Sequence, residues 1–553
     1  MRRAEERDAD MTIDTALASE PALDRNRAVL RYVLESNAAK KPDAPFVHFW
    51  PGDRWSYGET LRRVRLRATT LAAAGVKRGD HVLCFIGNGP DLLCTWFAIN
   101  YLGAVYVPIN TGARGRVLEH ILDDADAKLL VAAASVVERL KEVSPGKVKT
   151  VLVVEGEAQS VEGLDVRALV DPAEEDAAML QLAAPIQPWD LYAIMYTSGT
   201  TGNAKGVMSS YTQLYTMGPD AFDCVNEDDR CMICGPIFHC GSTLYVYAML
   251  ARGLSIGMMR EFKTGTFWQA VRETGSTYCL LLGVMASFLL KQPPAPDEKN
   301  HPLRRAFITP FGEDGPLFAE RFGIEAWTIY NMTEISSPMV AGPGITTKGI
   351  TGKPRPWYEM RVVDENDLEV ADGEVGELVV RTHRPWALMR GYYNNPAATV
   401  AAMRNGWFHT GDSFRREKDG TYYFVDRLKD VIRRRGENIS SFALEGEVLN
   451  IPAIRECAAV AVPSEHSEDE VLIVVTPVEG LTIDPVEVTE RLSKTLPHFM
   501  VPRFIRILDE LPKTASGKVQ KHILRTEGVT PETFDRTASA SVRSSAGNSG
   551  QAT

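Results

Sequence analysis

The sequence predicts an α/β protein: a large N-terminal domain of stacked, mostly parallel sheets covered by helices, a β-rich subdomain, and a small α+β C-terminal domain. Three observations carry that prediction. The 553 residues exceed what a single compact core accommodates. Short apolar runs alternate with helix-like patterns through the first half of the chain. The texture then changes twice, after about residue 350 and again after Asp426.

The elements follow in order. WSYGETLRRVRLRATTLAAAGV reads as a helix closed by Gly75, and HVLCFIG as a buried strand. DLLCTWFAINYLGA is a second helix, VYVPIN a strand, and KLLVAAA and TVLVVEG continue the series. Parallel strands need such helical crossovers, so the alternation points to a parallel sheet. Past residue 350, EMRVVDENDLEVADGEVGELVVRT reads as strand, turn, strand. In the last part, CAAVAVP and EVLIVVTPV read as strands and DPVEVTERLSKTL as a helix. The expected domains are 21–428 and 431–530, flanked by polar, unpatterned ends at 1–20 and 531–553 that read as disordered.

Composition narrows the function classes. Hydrophobic residues at 44% and charged residues at 24% suit a soluble globular chain. Net charge of −11 argues against nucleic acid as the main partner. No apolar run is long enough to span a bilayer, and the first twenty residues lack the apolar core of a secretory signal. Eight scattered cysteines with no framework spacing point to the reducing cytoplasm. Cys231, Cys234, His239 and Cys240 have a zinc-like look, but RCMICGPIF reads as a strand. Residues three apart on a strand face opposite ways, so Cys231 and Cys234 cannot share an ion there.

The segment Tyr196–Gly206, YTSGTTGNAKG, follows the apolar run LYAIM. Glycines allow tight turns and close backbone approach, consecutive free amides cradle anions, and hydroxyls add donors. Lys205 supplies a charge. This suits a polyphosphate, although the spacing is not that of a Walker loop. The segment resembles the phosphate-binding motif of the adenylate-forming superfamily, which includes acyl-CoA synthetases, firefly-type luciferases and peptide-synthetase adenylation domains. Four further stretches resemble that superfamily's boxes in the expected order. They are YNMTE (330–334), WFHTGD (407–412), DRLKD (426–430) and PKTASGKVQK (512–521), with GYYNNPAAT at 391–399 also fitting.

The resemblance implies an AMP-forming acid-thiol ligase using ATP, Mg²⁺ and CoA on a small carboxylic acid. Thr197, Ser198, Gly199, Thr200, Thr201, Gly202 and Lys205 would hold the phosphates. Thr333 would donate to a phosphate and Glu334 would hold Mg²⁺, with Tyr330 facing adenine. Asp412 and Arg427 would take the ribose. Lys518 would bring positive charge to the α-phosphate, where the penta-coordinate centre gathers negative charge. Lys429 would be the hinge, at 429–430, about which the mobile C-terminal domain turns between half-reactions. Arg435 and Gly436, with Arg433 and Arg434, would form the CoA entrance. His239 would gate the acyl pocket and Asn331, where the family generally has glycine, would border it. AFITPFGED replaces the usual GGA-like turn, so no adenine contacts are assigned in 306–311. RRRGENIS and the overall layout look most like the crotonobetaine/carnitine-CoA ligase branch, where a quaternary ammonium would want an aromatic cage or a carboxylate; Phe238, His239 and Trp386 are candidates. The family also admits homodimers. Two rival readings are an adenylation enzyme loading a carrier-protein thiol and a catalytically silent nucleotide binder. Keeping Lys518, Glu334 and Asp412 together argues against the silent binder.

Overall fold

A computed structural model describes residues 23–173, 180–197, 204–434, 437–464, 469–514 and 517–538. The expected disordered segment 1–20, residues 539–553 of the expected tail, and the site candidates Ser198, Gly199, Thr200, Thr201, Gly202, Arg435 and Gly436 lie outside them. Contacts divide the chain into two compact units: 1–346 with 351–360 and 380–408, and 347–350 with 361–379 and 409–553.

The first unit carries two sheets. One has seven strands in the order Asp165–Ala168, Thr150–Val154, Leu129–Ala133, His81–Phe85, Val105–Pro108, Leu191–Thr197, Lys205–Ser210. All neighbours are parallel except the last pair. Strands such as LLVAA and VYVP are buried at every position, as expected of a parallel sheet covered on both faces. The other sheet joins Pro45–Trp50, Ser255–Met259, Arg230–Ile233, Tyr278–Leu282, Arg305–Thr309 and Glu325–Met332 in parallel, with Arg54–Ser56 antiparallel at its edge.

Each expected helix and strand of this region is present. Helix Tyr57–Ala73 is capped by Ser56, whose hydroxyl accepts from Glu59 N, and the chain leaves it through Gly75 at φ +94°. Helix Pro90–Tyr101 is buried from Leu92 to Tyr101, so it is apolar all round rather than striped. Its one buried amide is satisfied: Asn100 donates to Tyr192 O at 2.8 Å and accepts from Trp96 Nε1 at 2.9 Å.

In the second unit, Ile454–Pro463 and Asp469–Pro477 pair antiparallel. Phe504–Ile507 then adds in parallel, and Phe534–Asp535 antiparallel to that. Helices Ser441–Leu449, Pro485–Thr495 and Lys521–Glu527 accompany them. One expectation is corrected here. Residues 531–538 are not a disordered tail: Ile505 pairs with Phe534, and Arg503 binds Asp535 at 3.1 Å. From His409 onward the hairpin Phe408–Arg416/Tyr422–Arg427 is grouped by contacts with the second unit.

Candidate active site

Strands Leu191–Thr197 and Lys205–Ser210 form an antiparallel ladder that ends at the pair Thr197↔Lys205, and the predicted phosphate loop connects them. Within the ladder Tyr196 faces Gly206. A Cβ on Gly206 would lie 2.8 Å from the Ile194 side chain and 3.2 Å from the Tyr196 ring, so packing alone demands glycine there. Tyr196 is fixed by donating to Asp124 at 2.7 Å. Segment 389–393 runs beside the Lys205–Ser210 strand: Arg390 N donates to Met208 O, Met208 N to Gly391 O and Tyr393 N to Gly206 O. That places the Tyr392 ring 5.0 Å from Lys205 Nζ, a cation–π contact.

Tyr392 then reaches the second element of the site, donating its hydroxyl to Glu334 Oε1 at 3.0 Å. Burial, and then the Glu334 charge, push the Tyr392 phenol well above its ordinary range, so it stays a donor. Thr333 and Glu334 do not start a helix. They sit in the tight turn joining strand Glu325–Met332 to Ser336–Ala341, whose return residue Ser336 has φ +66°. Both are buried. The turn is held from behind by fully buried Gln213, whose Nε2 donates to Thr333 O at 2.8 Å and Glu334 O at 3.2 Å. Met389 N also donates to Glu334 O at 2.8 Å. Cys240 Sγ lies 3.0 Å from Thr333 Oγ1.

Gln213→Met should remove the buried side-chain donor from Thr333 O and one of the two donors from Glu334 O. The expected result is a loss of about 1–3 kcal/mol of stability in urea and a raised KM for ATP, with a smaller change in kcat. An unchanged KM would show that the turn holds Glu334 without Gln213.

The two acyl-pocket candidates lie beside this turn in sequence or contact. His239 is the N-cap of helix Cys240–Arg252: its Nδ1 accepts from Gly241 N at 3.1 Å, so Nδ1 carries no proton. Swinging the ring as a gate would break this cap, at a cost of about 1 kcal/mol. The preceding loop is pinned by buried Asn88, which accepts from Ile237 N and donates to Gly235 O, both at 2.9 Å. Asn331 falls at a register shift between Tyr330 and Met332, a bulge that re-aims its side chain. Its half-buried carboxamide makes no hydrogen bond among the described residues. Tyr330 is 8% exposed, with its hydroxyl 3.3 Å from Met332 Sδ. The exposed Trp386 ring carries the Arg390 guanidinium 5.1 Å from its centroid. No cluster of three or more metal-ligating side chains occurs among the described residues, which includes Cys231, Cys234, His239 and Cys240.

In the second unit, Asp412 pairs with Arg427 across the hairpin, and Arg427 Nε lies 3.3 Å from the buried Asp412 carboxylate. Gly411, at φ +69°, donates to Glu377 Oε1 at 2.9 Å, and His409 Nδ1 lies 2.9 Å from Glu377 Oε2. Glu377 therefore fixes the WFHTGD box from outside it, a role that no sequence pattern signals. Lys429 is half-buried, and burial draws its ammonium down to about 8. Lys518 is exposed on a tight turn in which Thr514 N donates to Lys518 O at 2.7 Å and Gly517 has φ +81°.

Three residues later in the same box, Lys521 is largely enclosed, with 16% of its side chain exposed. It binds Glu445 at 2.7 Å and Ser441 Oγ at 2.6 Å, while Asp426 accepts from Ser441 N and Phe442 N at the start of helix Ser441–Leu449. Burial opposes its charge, but Glu445 and Asp426 override that and hold the ammonium above its ordinary value. Of the three arginines expected at the CoA entrance, Arg434 is not available. It is 2% exposed, paired with Glu470 at 2.8 Å and donating to Phe499 O and Val501 O. Arg433 is exposed.

A model of the AMP-binding enzyme family matches residues 34–393, and that of the AMP-binding enzyme C-terminal domain matches 443–518. The chain belongs to the AMP-binding enzyme family. As an AMP-binding enzyme it is 29% identical over 483 residues to the crotonobetaine/carnitine–CoA ligase of Citrobacter koseri, covering 85% of this chain and 93% of that one. It is 28% identical over 486 residues to the protein of the same name from Proteus mirabilis, with the same coverage. Among solved structures, ATP-bound MatB from Rhodopseudomonas palustris is 25% identical with a TM-score of 0.78, covering 90% of this chain and 98% of that one. The anthranilate CoA ligase AuaEII in complex with anthranoyl-AMP, at 20% identity, shares the fold with a TM-score of 0.80 over 93% of this chain and 98% of that one. The superfamily resemblance and the α/β fold class expected from the sequence agree with these findings.

Proposed function

We propose that this AMP-binding enzyme is an ATP-dependent acyl-CoA ligase. A carboxylate attacks the α-phosphate of ATP, pyrophosphate leaves, and the CoA thiol then displaces AMP from the acyl-adenylate. The observation that carries the reading is the set Lys205–Tyr392–Glu334, in which a cation at the root of the phosphate loop and a positioned carboxylate are tied to one phenol. Curated relatives named as CoA ligases, matched over 93% of their length, support CoA as the acceptor.

In this reading Lys205 and the loop 197–202 take the triphosphate, and Thr333 donates to it. Glu334 suits Mg²⁺, which usually keeps one or two protein carboxylates and takes its other ligands from phosphate and water. Tyr392 holds Glu334 in place through Oε1. When bound, Mg²⁺ neutralises phosphate charge. Tyr330 faces adenine, Asp412 and Arg427 take the ribose, and Lys518 supplies charge at the α-phosphate. Turning about 429–430 withdraws Lys518 for the thiol step, and Arg433, Arg435 and Gly436 serve the CoA entrance. His239 and Asn331 shape the acyl pocket, where the unpaired carboxamide offers a polar contact to a compact acid. The reducing cytoplasm suits this reaction, and no disulfide joins any of the eight cysteines. No helix among the described residues is long and apolar enough to cross a membrane.

The test is pyrophosphate exchange across a panel of short, aromatic and betaine-type carboxylic acids, followed by thioester formation with CoA. AMP and thioester are expected with at least one acid. Exchange without thioester would instead favour a carrier-protein thiol as acceptor, and neither product from any acid would reject the ligase reading.

A further inference from the structure

A cavity of the first unit lies away from the residues assigned to catalysis. It measures about 630 Å³ and opens between helix Leu30–Lys40, helix Tyr211–Met217, the end of helix Cys240–Arg252 and segment 355–357. None of Lys205, Glu334, Tyr392, Thr333 or His239 lines it. Its wall carries five basic side chains, Arg27, Lys40, Arg252, Arg355 and Arg384, against two aspartates, on a chain whose net charge is −11.

The aspartates do not balance those cations. Asp220 is taken by Arg384 in a direct ion pair. Asp223 is almost fully exposed and stands 3.9 Å from Arg252, a distance and exposure at which little attraction survives in water. Arg252 spends its Nη atoms on Pro219 O at 2.8 Å and Val225 O at 3.3 Å, while its buried Nε has no partner. Arg355 is the sharper case. Its Nη1 donates to Thr216 O at 3.0 Å and Ser337 O at 2.7 Å, but no carboxylate pairs with it. Burial lowers its pKa from the ordinary arginine value. Burial outweighs the attraction of Asp220 and Asp223, so a guanidinium with two carbonyls on Nη1 and no ion pair of its own is unfavourable unless an anion completes it. The planar fork still has Nε and Nη2 to offer, the geometry that takes two oxygens of a carboxylate or phosphate. Tyr215, whose hydroxyl accepts from Arg27 Nη2 at 3.0 Å, keeps its own proton to donate.

We propose that this cavity is a second binding site, separate from the nucleotide site, for a metabolite-sized, multiply charged oxyanion, with Arg355 as its central anchor and Lys40 at its rim. The phosphate and carboxylate versions of that chemistry are separated by probe. The full-length protein, with its nucleotide site filled by AMP and no divalent ion present, is titrated calorimetrically with inorganic phosphate and, separately, with citrate. Saturable one-to-one binding of either probe is expected, and the tighter probe identifies the ligand chemistry. Arg355→Met and, separately, the exposed-residue change Lys40→Glu should each weaken that binding by about tenfold or more while leaving AMP affinity unchanged. Lys40→Glu guards against misfolding, because its side chain is exposed. The proposal is overturned if neither probe binds, if Lys40→Glu binds like the parent, or if AMP and the probe displace one another. The site does not depend on the ligase reading, so it stands or fails separately from the acid panel.

Discussion

Replacing Lys518 by alanine should lower adenylate formation by about 10²–10³-fold, the scale set by removing one preorganised charge from a transition state. ATP affinity should change by no more than about tenfold, since an exposed ammonium adds little to ground-state binding. The side chain is exposed on a turn held by backbone bonds from Thr514 and Gly517, so the unfolding midpoint should stay at the parent value. Single-turnover pyrophosphate release, ATP binding and thermal unfolding measured on one preparation separate these quantities. Unchanged pyrophosphate release would remove Lys518 from the mechanism. A parallel loss of ATP affinity would make it a binding residue.

Lys521→Met should behave in the opposite way. Its ammonium is held on Glu445 and Ser441 in a largely enclosed pair, and removing it leaves the Glu445 carboxylate without its partner. Breaking such a pair costs about 3–5 kcal/mol, which for a unit of this size lowers the unfolding midpoint by about 10–20 °C. The double variant Lys521→Met/Glu445→Leu should regain most of that loss, because the unpaired charge goes with it. Denaturation of the two single variants and the double variant checks this cycle. Equal losses in Lys521→Met and the double variant would show that the pair is not the source of the stability. The two variants together are expected to separate chemistry from architecture between lysines three positions apart in one box.

The parallel sheets were legible because their strands are short, apolar throughout and separated by helices. The boxes were legible because they are local. What sequence could not supply was the set of long-range partners. Gln213 lies 120 positions from Thr333 and Tyr392 lies 58 from Glu334, and neither pairing leaves a periodic trace. Thr and Glu suit a helix start on local propensity, but strand pairing on both sides makes Thr333-Glu334 a hairpin turn. Arg434, expected with its neighbours at the CoA entrance, is turned inward to Glu470 by alternation along strand Ile432–Arg434. The hairpin Phe408–Arg416/Tyr422–Arg427 anchors helix Ser441–Leu449 through Asp426, a tie that leaves no local signal.

The pairing of Tyr196 with Gly206 bears on how such chains diverge. Gly206 is imposed by two neighbouring side chains rather than by phosphate, and Tyr196 is fastened to Asp124 across the fold. A descendant that abandoned nucleotide chemistry would still be obliged to keep both, or lose the ladder. Drift would surface first at Lys205 and the hydroxyls between them, so the frame of this motif would outlive its purpose.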